Sequence, residues 1–78
     1  MLKVKIPMLH PQVKEAKIVE WLKNTGDNIE KDEPLLIIET DKTTIELDSP
    51  TSGVVDKILF IAGSDITNND ILVIINEN

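Results

Sequence analysis

"AKIVEWLKNTGDNIEKDEPLLIIE" (residues 16–39) and "GVVDKILFIAGSDITNNDILVIIN" (residues 53–76) match without a gap at a shift of 37 residues. Ile18 falls on Val55, Trp21 on Ile58, Leu22 on Leu59, Gly26 on Gly63, Ile29 on Ile66, Leu35 on Leu72, and Ile37 and Ile38 on Ile74 and Ile75. Asp32 falls on Asn69, and each precedes an acidic residue. Asn and Asp are the non-glycine residues that best tolerate a left-handed backbone, so both halves are expected to make the same tight turn there. Self-similarity that keeps turn residues as well as apolar ones marks a duplicated half.

Each half reads as strands. "LKVKI" (2–6) alternates, and "KIVEWL" (17–22), "LLIIE" (35–39), "TTIEL" (43–47), "VVDKILF" (54–60) and "ILVII" (71–75) are short apolar or β-branched runs bounded by turn residues. "NIE" (28–30) and "DIT" (65–67) can each add a short strand. The best helical candidate, "VKEAKIVEWLK" (13–23), is excluded because its repeat mate is too β-branched. The expected fold is all-β: a flattened barrel or sandwich of two antiparallel sheets with internal pseudo-two-fold symmetry. Its core is expected from Val4, Ile6, Ile18, Leu22, Leu35, Ile37, Ile45, Leu47, Val55, Leu59, Leu72 and Ile74. Gly26, Gly53 and Gly63 are read as turn or bulge positions.

Composition narrows the function. A chain of 78 residues is one domain, with little interior to spare for a buried catalytic cleft. Its net charge is −6 and all of its basic residues are lysines, so it has neither the basic stripe nor the bidentate arginines of a nucleic-acid binder. It contains no cysteine, which removes disulfides and thiolate metal sites. No apolar run approaches the ~20 residues of a membrane span, and a soluble domain without a membrane partner is expected. His10 is the only histidine and has no second ligand or nucleophile beside it. Asp27, Glu30, Asp32 and Glu33 read as a solvated acidic face, because their spacing lacks the regular calcium loop with its closing glutamate. Trp21 reads as partly buried packing. No catalytic residue and no metal site are expected.

The midpoint of the duplication is different. "LLIIE" and "TTIEL" are joined by Thr40, Asp41 and Lys42, a hairpin connection that sets a lysine on a protruding, strand-supported turn. At an arbitrary hairpin tip a lysine needs no explanation beyond solvation. Here Glu39 and Asp41 precede it, the strand-forming Thr43 and Thr44 follow it, and the turn lies at the pseudo-symmetry seam.

The stretch "GDNIEKDEPLLIIETDKTTIELDSPTSGVVDKI" (26–58), and more loosely the whole chain from "KIPML" to "ILVII", resembles the lipoyl domain of the 2-oxo acid dehydrogenase complexes. In that family the lysine of the "ETDK" turn carries lipoic acid in amide linkage, which maps onto Lys42. The related biotinyl domain places methionines on both sides of its lysine, whereas Asp41 and Thr43 flank Lys42. The resemblance therefore implies lipoate as the cofactor, installed by a lipoate ligase or lipoyl transferase, with Glu39, Thr40, Asp41 and Thr43 forming the turn that is recognised. It implies a carrier that catalyses nothing alone. Lipoyl-Lys42 would accept an acyl group from a thiamine-diphosphate 2-oxo acid decarboxylase, pass it to coenzyme A at an acyltransferase core, and be reoxidised by dihydrolipoyl dehydrogenase. The missing cysteine fits this, since the dithiol belongs to the cofactor.

Within the family, "IPMLHPQVKEAKIVEW" (6–21) and "KDE" (31–33) resemble the succinyltransferase of the 2-oxoglutarate dehydrogenase complex. His10, Pro11 and Gln12 depart from the proline and acidic residue expected there. The loop His10, Pro11, Gln12, Val13 and Lys14 is expected beside the lysine turn, where it helps to select the decarboxylase. A biotin carrier of a carboxylase and an unmodified structural β-domain are the alternatives. Residues 1–78 are expected to be one attachment domain, the N-terminal part of a longer acyltransferase chain. The family resides in the cytoplasm of bacteria and in the mitochondrial matrix or plastid of eukaryotes, and the same is expected here.

Overall fold

The computed structural model describes residues 1–77. Eight strands and one helical turn follow in the order β1 (Leu2–Lys5), α1 (Ile6–Leu9), β2 (Glu15–Trp21), β3 (Asn28–Ile29), β4 (Pro34–Glu39), β5 (Thr44–Asp48), β6 (Gly53–Ile58), β7 (Asp65–Thr67) and β8 (Ile71–Glu77). They form two four-stranded antiparallel sheets, ordered β1-β8-β6-β3 and β5-β4-β2-β7. A shift of 37 carries β2 onto β6, β3 onto β7 and β4 onto β8, so the expected all-β, pseudo-symmetric architecture is present. The remaining pair is β5 and β1: Leu36 of β4 faces Leu47 of β5, as Val73 of β8 faces Val4 of β1.

The two halves are tied by reciprocal hydrogen bonds. Gly26 N–H donates to Val55 O at 2.8 Å, and its repeat mate Gly63 N–H donates to Ile18 O at 2.7 Å. Ile18 N–H in turn donates to Ser64 O and Val55 N–H to Asp27 O, both at 2.9 Å. Both glycines have positive φ, +94° and +91°, a conformation that a Cβ would strain. Gly53 is different from its expected turn or bulge role. It opens β6, paired with both Ile29 and Glu77, and a Cβ there would collide with the carbonyl of Asn76.

Equivalent β-bulges set the core. Leu35 in β4 and Leu72 in β8 are the extra residues against β5 and β1, and Val19 in β2 and Asp56 in β6 are the extra residues against β4 and β8. A bulge reverses the in–out alternation of the strand beyond it. Leu35 and Leu36 are consequently both buried, Ile38 follows, and Leu72, Val73 and Ile75 repeat the pattern. Of the expected core, Val4, Ile6, Ile18, Leu35, Leu47, Val55 and Leu72 are buried, while Ile37, Ile45 and Ile74 are only half-buried. Leu22 and Leu59 are exposed, at 36% and 39%, because the bulges at Val19 and Asp56 turn Trp21 and Ile58 inward instead. Val13, Ile29 and Ile66 complete the core. Each such side chain, fully buried, contributes roughly 1.5–3 kcal/mol of transfer free energy.

Two further expectations are corrected. The strand read over residues 2–6 stops at Lys5, and Ile6–Leu9 form a single helical turn with Pro7 in its first turn and His10 N–H donating to Ile6 O at 2.8 Å. Asp32 is left-handed, with φ +71°, but Asn69 is not. The two turns share their closing bonds, Glu33 N–H to Glu30 O and Asp70 N–H to Thr67 O. Only in the first does the central amide bond a carbonyl outside the turn, Asp32 N–H donating to Ser49 O at 2.8 Å. In the second, Asn69 N–H faces Thr67 Oγ1.

Candidate functional site

The β4–β5 hairpin ends its ladder at the pair Glu39 and Thr44, above the inward-facing pair Ile38 and Ile45. Ile38 is fully buried and Ile45 packs against the core, so the base of the hairpin is fixed. Beyond the ladder, Thr40 N–H donates to Thr43 O at 2.8 Å. Thr40 Oγ1 accepts the N–H of Lys42 at 3.2 Å and that of Thr43 at 3.1 Å, and donates to Thr43 O at 3.1 Å. A threonine hydroxyl that closes a turn in this way replaces a backbone acceptor. The tip is therefore ordered without a glycine and without any positive φ. Asp41, Lys42 and Thr43 are exposed, and among the described residues no carboxylate lies within ion-pair distance of the Lys42 ammonium, despite Glu39 and Asp41 close by in sequence.

The His10–Lys14 loop does lie beside this turn. A groove of about 520 Å³ separates them, lined by His10, Gln12, Val13 and Lys14 on one side and Thr40, Asp41, Lys42 and Thr43 on the other. Pro11 is exposed and does not line it. Val13, only 7% exposed, roots the loop in the core, and Asn68 N–H holds its far end through Lys14 O at 2.8 Å. His10 is half-buried, with Nδ1 enclosed and without a partner among the described residues. A second groove, of about 410 Å³, shares Thr40 and Asp41 with the first. Glu39 opens onto this second one, together with Glu15, Lys17 and Asp65.

Sequence reading thus brought Lys42, its turn and the loop together, but missed Glu15, Ile45 and Asp65. Asp65 reaches the tip through the pairing of β7 with β2, which the repeat by itself does not show. The bonding role of Thr40 had a signal: a threonine two residues before a tip residue is an ordinary turn-forming pattern.

The residues read as a solvated acidic face are more specific than that. Asp27 Oδ2 accepts Asn24 N–H at 2.8 Å, and Glu33 Oε1 accepts Glu30 N–H at 2.9 Å. Glu33 also pairs with Lys23 at 2.7 Å. The Lys23 hydrogen bond, followed by that of the Glu30 amide, holds the Glu33 carboxyl below its ordinary range, and Glu33 in return raises Lys23. Trp21 packs as expected, with Nε1–H donating to Phe60 O at 2.8 Å. None of these groups lines either groove at the tip.

Comparison with known proteins gives a consistent picture. The family model described as "Biotin-requiring enzyme", which covers biotinyl and lipoyl domains, matches residues 2–75. The dihydrolipoyllysine-residue succinyltransferase component of the 2-oxoglutarate dehydrogenase complex of Rickettsia typhi is 42% identical over 97% of this chain and 19% of its own length. The dihydrolipoyllysine-residue acetyltransferase component of the pyruvate dehydrogenase complex of Corynebacterium glutamicum is 47% identical, over 70% of this chain and 8% of its own. The chain thus spans about a fifth or less of the length of these relatives. Among solved structures, the lipoyl domain of the 2-oxoglutarate dehydrogenase complex from Azotobacter vinelandii superimposes with a TM-score of 0.78 at 25% identity, covering 99% of this chain and 98% of that one.

Proposed function

The chain belongs to the biotin- and lipoyl-attachment family and within it is a lipoyl carrier domain; from that premise we propose that Lys42 is its attachment residue, acylated on Nζ by lipoate. The observation that carries this reading is the tip itself: an exposed lysine without an ion pair among the described residues, on a hairpin anchored in the core through Ile38 and closed by the hydrogen bonds of Thr40. Attachment requires the neutral amine to attack an activated carboxyl carbon, forming the C–N bond as the activating group leaves and Nζ loses its proton. An unpaired, solvated Nζ meets that requirement without first breaking a salt bridge. The turn's neighbours Asp41 and Thr43 favour lipoate over biotin, as do the names of the relatives.

Once attached, the lipoyl group supplies a disulfide that can be reductively acylated and a chain long enough to reach active sites the folded domain cannot enter. The protein's own part is to present and steer that arm. Glu39, Asp41, Glu15 and Asp65 outnumber Lys14 and Lys17 around the two grooves and give the tip a net negative rim, and amide formation removes one positive charge, taking the net charge from −6 to −7. The loop on the other side of the first groove adds shape.

The proposed partners follow the resemblance: a thiamine-diphosphate 2-oxo acid decarboxylase that acylates the arm, an acyltransferase core that passes the group to coenzyme A, and dihydrolipoyl dehydrogenase. The 2-oxoglutarate complex is the proposed setting, on the strength of the succinyltransferase relative that matches the chain almost end to end. These residues are proposed to form the N-terminal domain of such an acyltransferase. Intact-mass measurement after incubation with ATP and either lipoate with lipoate ligase or biotin with biotin ligase tests the reading. A single lipoyl adduct is expected; a biotinyl adduct alone, or no adduct, overturns it.

A further inference from the structure

We infer that the Thr40 hydroxyl is the positioning group for Lys42, holding the lysine's backbone in the one arrangement that the modifying enzyme binds. The inference rests on Lys42 being the attachment residue and concerns how the chain presents it. A hydroxyl has one proton to donate and two lone pairs to accept with. At Thr40 all three are used within the turn: Lys42 N–H and Thr43 N–H enter at 3.2 and 3.1 Å, and the proton goes to Thr43 O at 3.1 Å. Among the described residues, Lys42 makes no backbone–backbone hydrogen bond, since the ladder has ended at Glu39 and Thr44. Its bond to Thr40 Oγ1 is therefore what ties its main chain to the hairpin.

The contrast with a second turn sharpens the point. Thr67 Oγ1 accepts one amide, Asn69 N–H, at 3.4 Å, and that turn is held instead by a carboxylate, with Thr67 N–H donating to Asp70 Oδ2 at 2.8 Å. Among the described residues no carboxylate caps the lysine turn in this way; a threonine orders it and adds no negative charge of its own. The carboxylates of Asp41 and Glu39 make no hydrogen bond to the turn among the described residues, so the turn's order does not depend on their charge.

Removing the hydroxyl leaves the tip populating several conformers, of which only a fraction matches the enzyme. The apparent affinity then falls by that fraction, while turnover of the bound complex is unchanged. The test uses the whole chain with purified lipoate ligase, lipoate and ATP, comparing wild type with Thr40→Val, which keeps the shape, Thr40→Ala as a second hydroxyl-free variant, and Thr40→Ser, which keeps the hydroxyl. Steady-state attachment rates and amide hydrogen exchange at Lys42 and Thr43 are both read. Expected are a KM for the Val and Ala variants raised roughly fivefold, the inverse of a competent fraction of about one fifth, with unchanged kcat, faster exchange at both amides, and recovery of wild-type values in the Ser variant. An unchanged KM in both hydroxyl-free variants, or failure of serine to restore it, overturns the inference while leaving attachment at Lys42 standing. A wild-type chain that is never modified overturns the attachment reading first, and this inference with it.

Discussion

Leu35 and Leu72 occupy the same place in the two halves, each the extra residue of a β-bulge and each fully buried. The bulge is what places two consecutive side chains in the core, so truncating either leaves a cavity that the strand cannot close by sliding. Leu35→Ala and Leu72→Ala are each expected to cost about 2–5 kcal/mol. Ile37→Ala and Ile74→Ala, one alternation further on and only half-buried, should cost clearly less. Urea unfolding of the four variants checks this; equal losses across all four would mean that the bulges do not set the core.

Lys23 and Glu33 form the only ion pair among the described residues. Glu33 is held below its ordinary value, so its contribution to stability is present above the usual glutamate pKa of about 4.3 and is lost as pH falls through the lowered folded value. Lys23 is raised, so its contribution is present below the usual lysine pKa of about 10.4 and is lost as pH rises through the raised folded value. The pair is solvated, and its effect is small. Glu33→Gln should lower the melting temperature slightly at neutral pH and at low ionic strength, with the difference from wild type closing toward pH 3. A difference independent of pH would show that the charge of Glu33 contributes nothing to stability.

Register matters at the tip as much as in the core. Exchanging Asp41 and Lys42, as Asp41→Lys with Lys42→Asp, keeps charge and composition but moves the amine off the position whose amide bonds to Thr40 Oγ1. Attachment to the exchanged chain should fall sharply, with the melting temperature unchanged. Equal modification of the two chains would show that exposure is sufficient.

Acyl loading should depend on the surface around the first groove. Replacing His10, Pro11, Gln12 and Lys14 by the residues of a pyruvate-type lipoyl domain, while keeping the buried Val13 that roots the loop, is expected to shift preference between 2-oxoglutarate and pyruvate decarboxylases without altering attachment. Free lipoamide should be a much poorer acceptor than the domain, since docking raises the local concentration of the arm. The acidic rim should make loading weaken with salt. Reductive acylation rates of both chains with both decarboxylases decide this; unchanged preference would place recognition outside the loop.

How far the sequence could be read follows from what each feature depends on. The duplication was visible because Gly26 and Gly63 need the same positive φ and Ile18 and Val55 the same burial. The tip was visible because turn residues and strand formers alternate in a fixed order around Lys42. Leu22, Leu59, Ile37 and Ile74 were misplaced because strict alternation was assumed through four bulges, and a bulge at Leu35 or Leu72 has no mark in the side chain that occupies it. Asn69 differs from Asp32 in its partner: Asp32 N–H bonds the Ser49 carbonyl across the sheet, whereas among the described residues Asn69 N–H meets only Thr67 Oγ1 within its own turn. The grooves were the least legible, since Asp65 and Ile45 reach the tip only through sheet order and packing.

One lysine of eight is proposed to carry the cofactor because of where the fold presents it. The most direct test is fragmentation mass spectrometry of the chain after reaction with lipoate ligase, lipoate and ATP, alongside Lys42→Arg. That substitution, at an exposed tip, should change stability by no more than about 0.5 kcal/mol, so loss of modification cannot be assigned to unfolding. A single lipoyl group located on Lys42 is expected in the wild type and none on the variant. A lipoyl group found on another lysine, or an adduct retained by a folded Lys42→Arg chain, would contradict it.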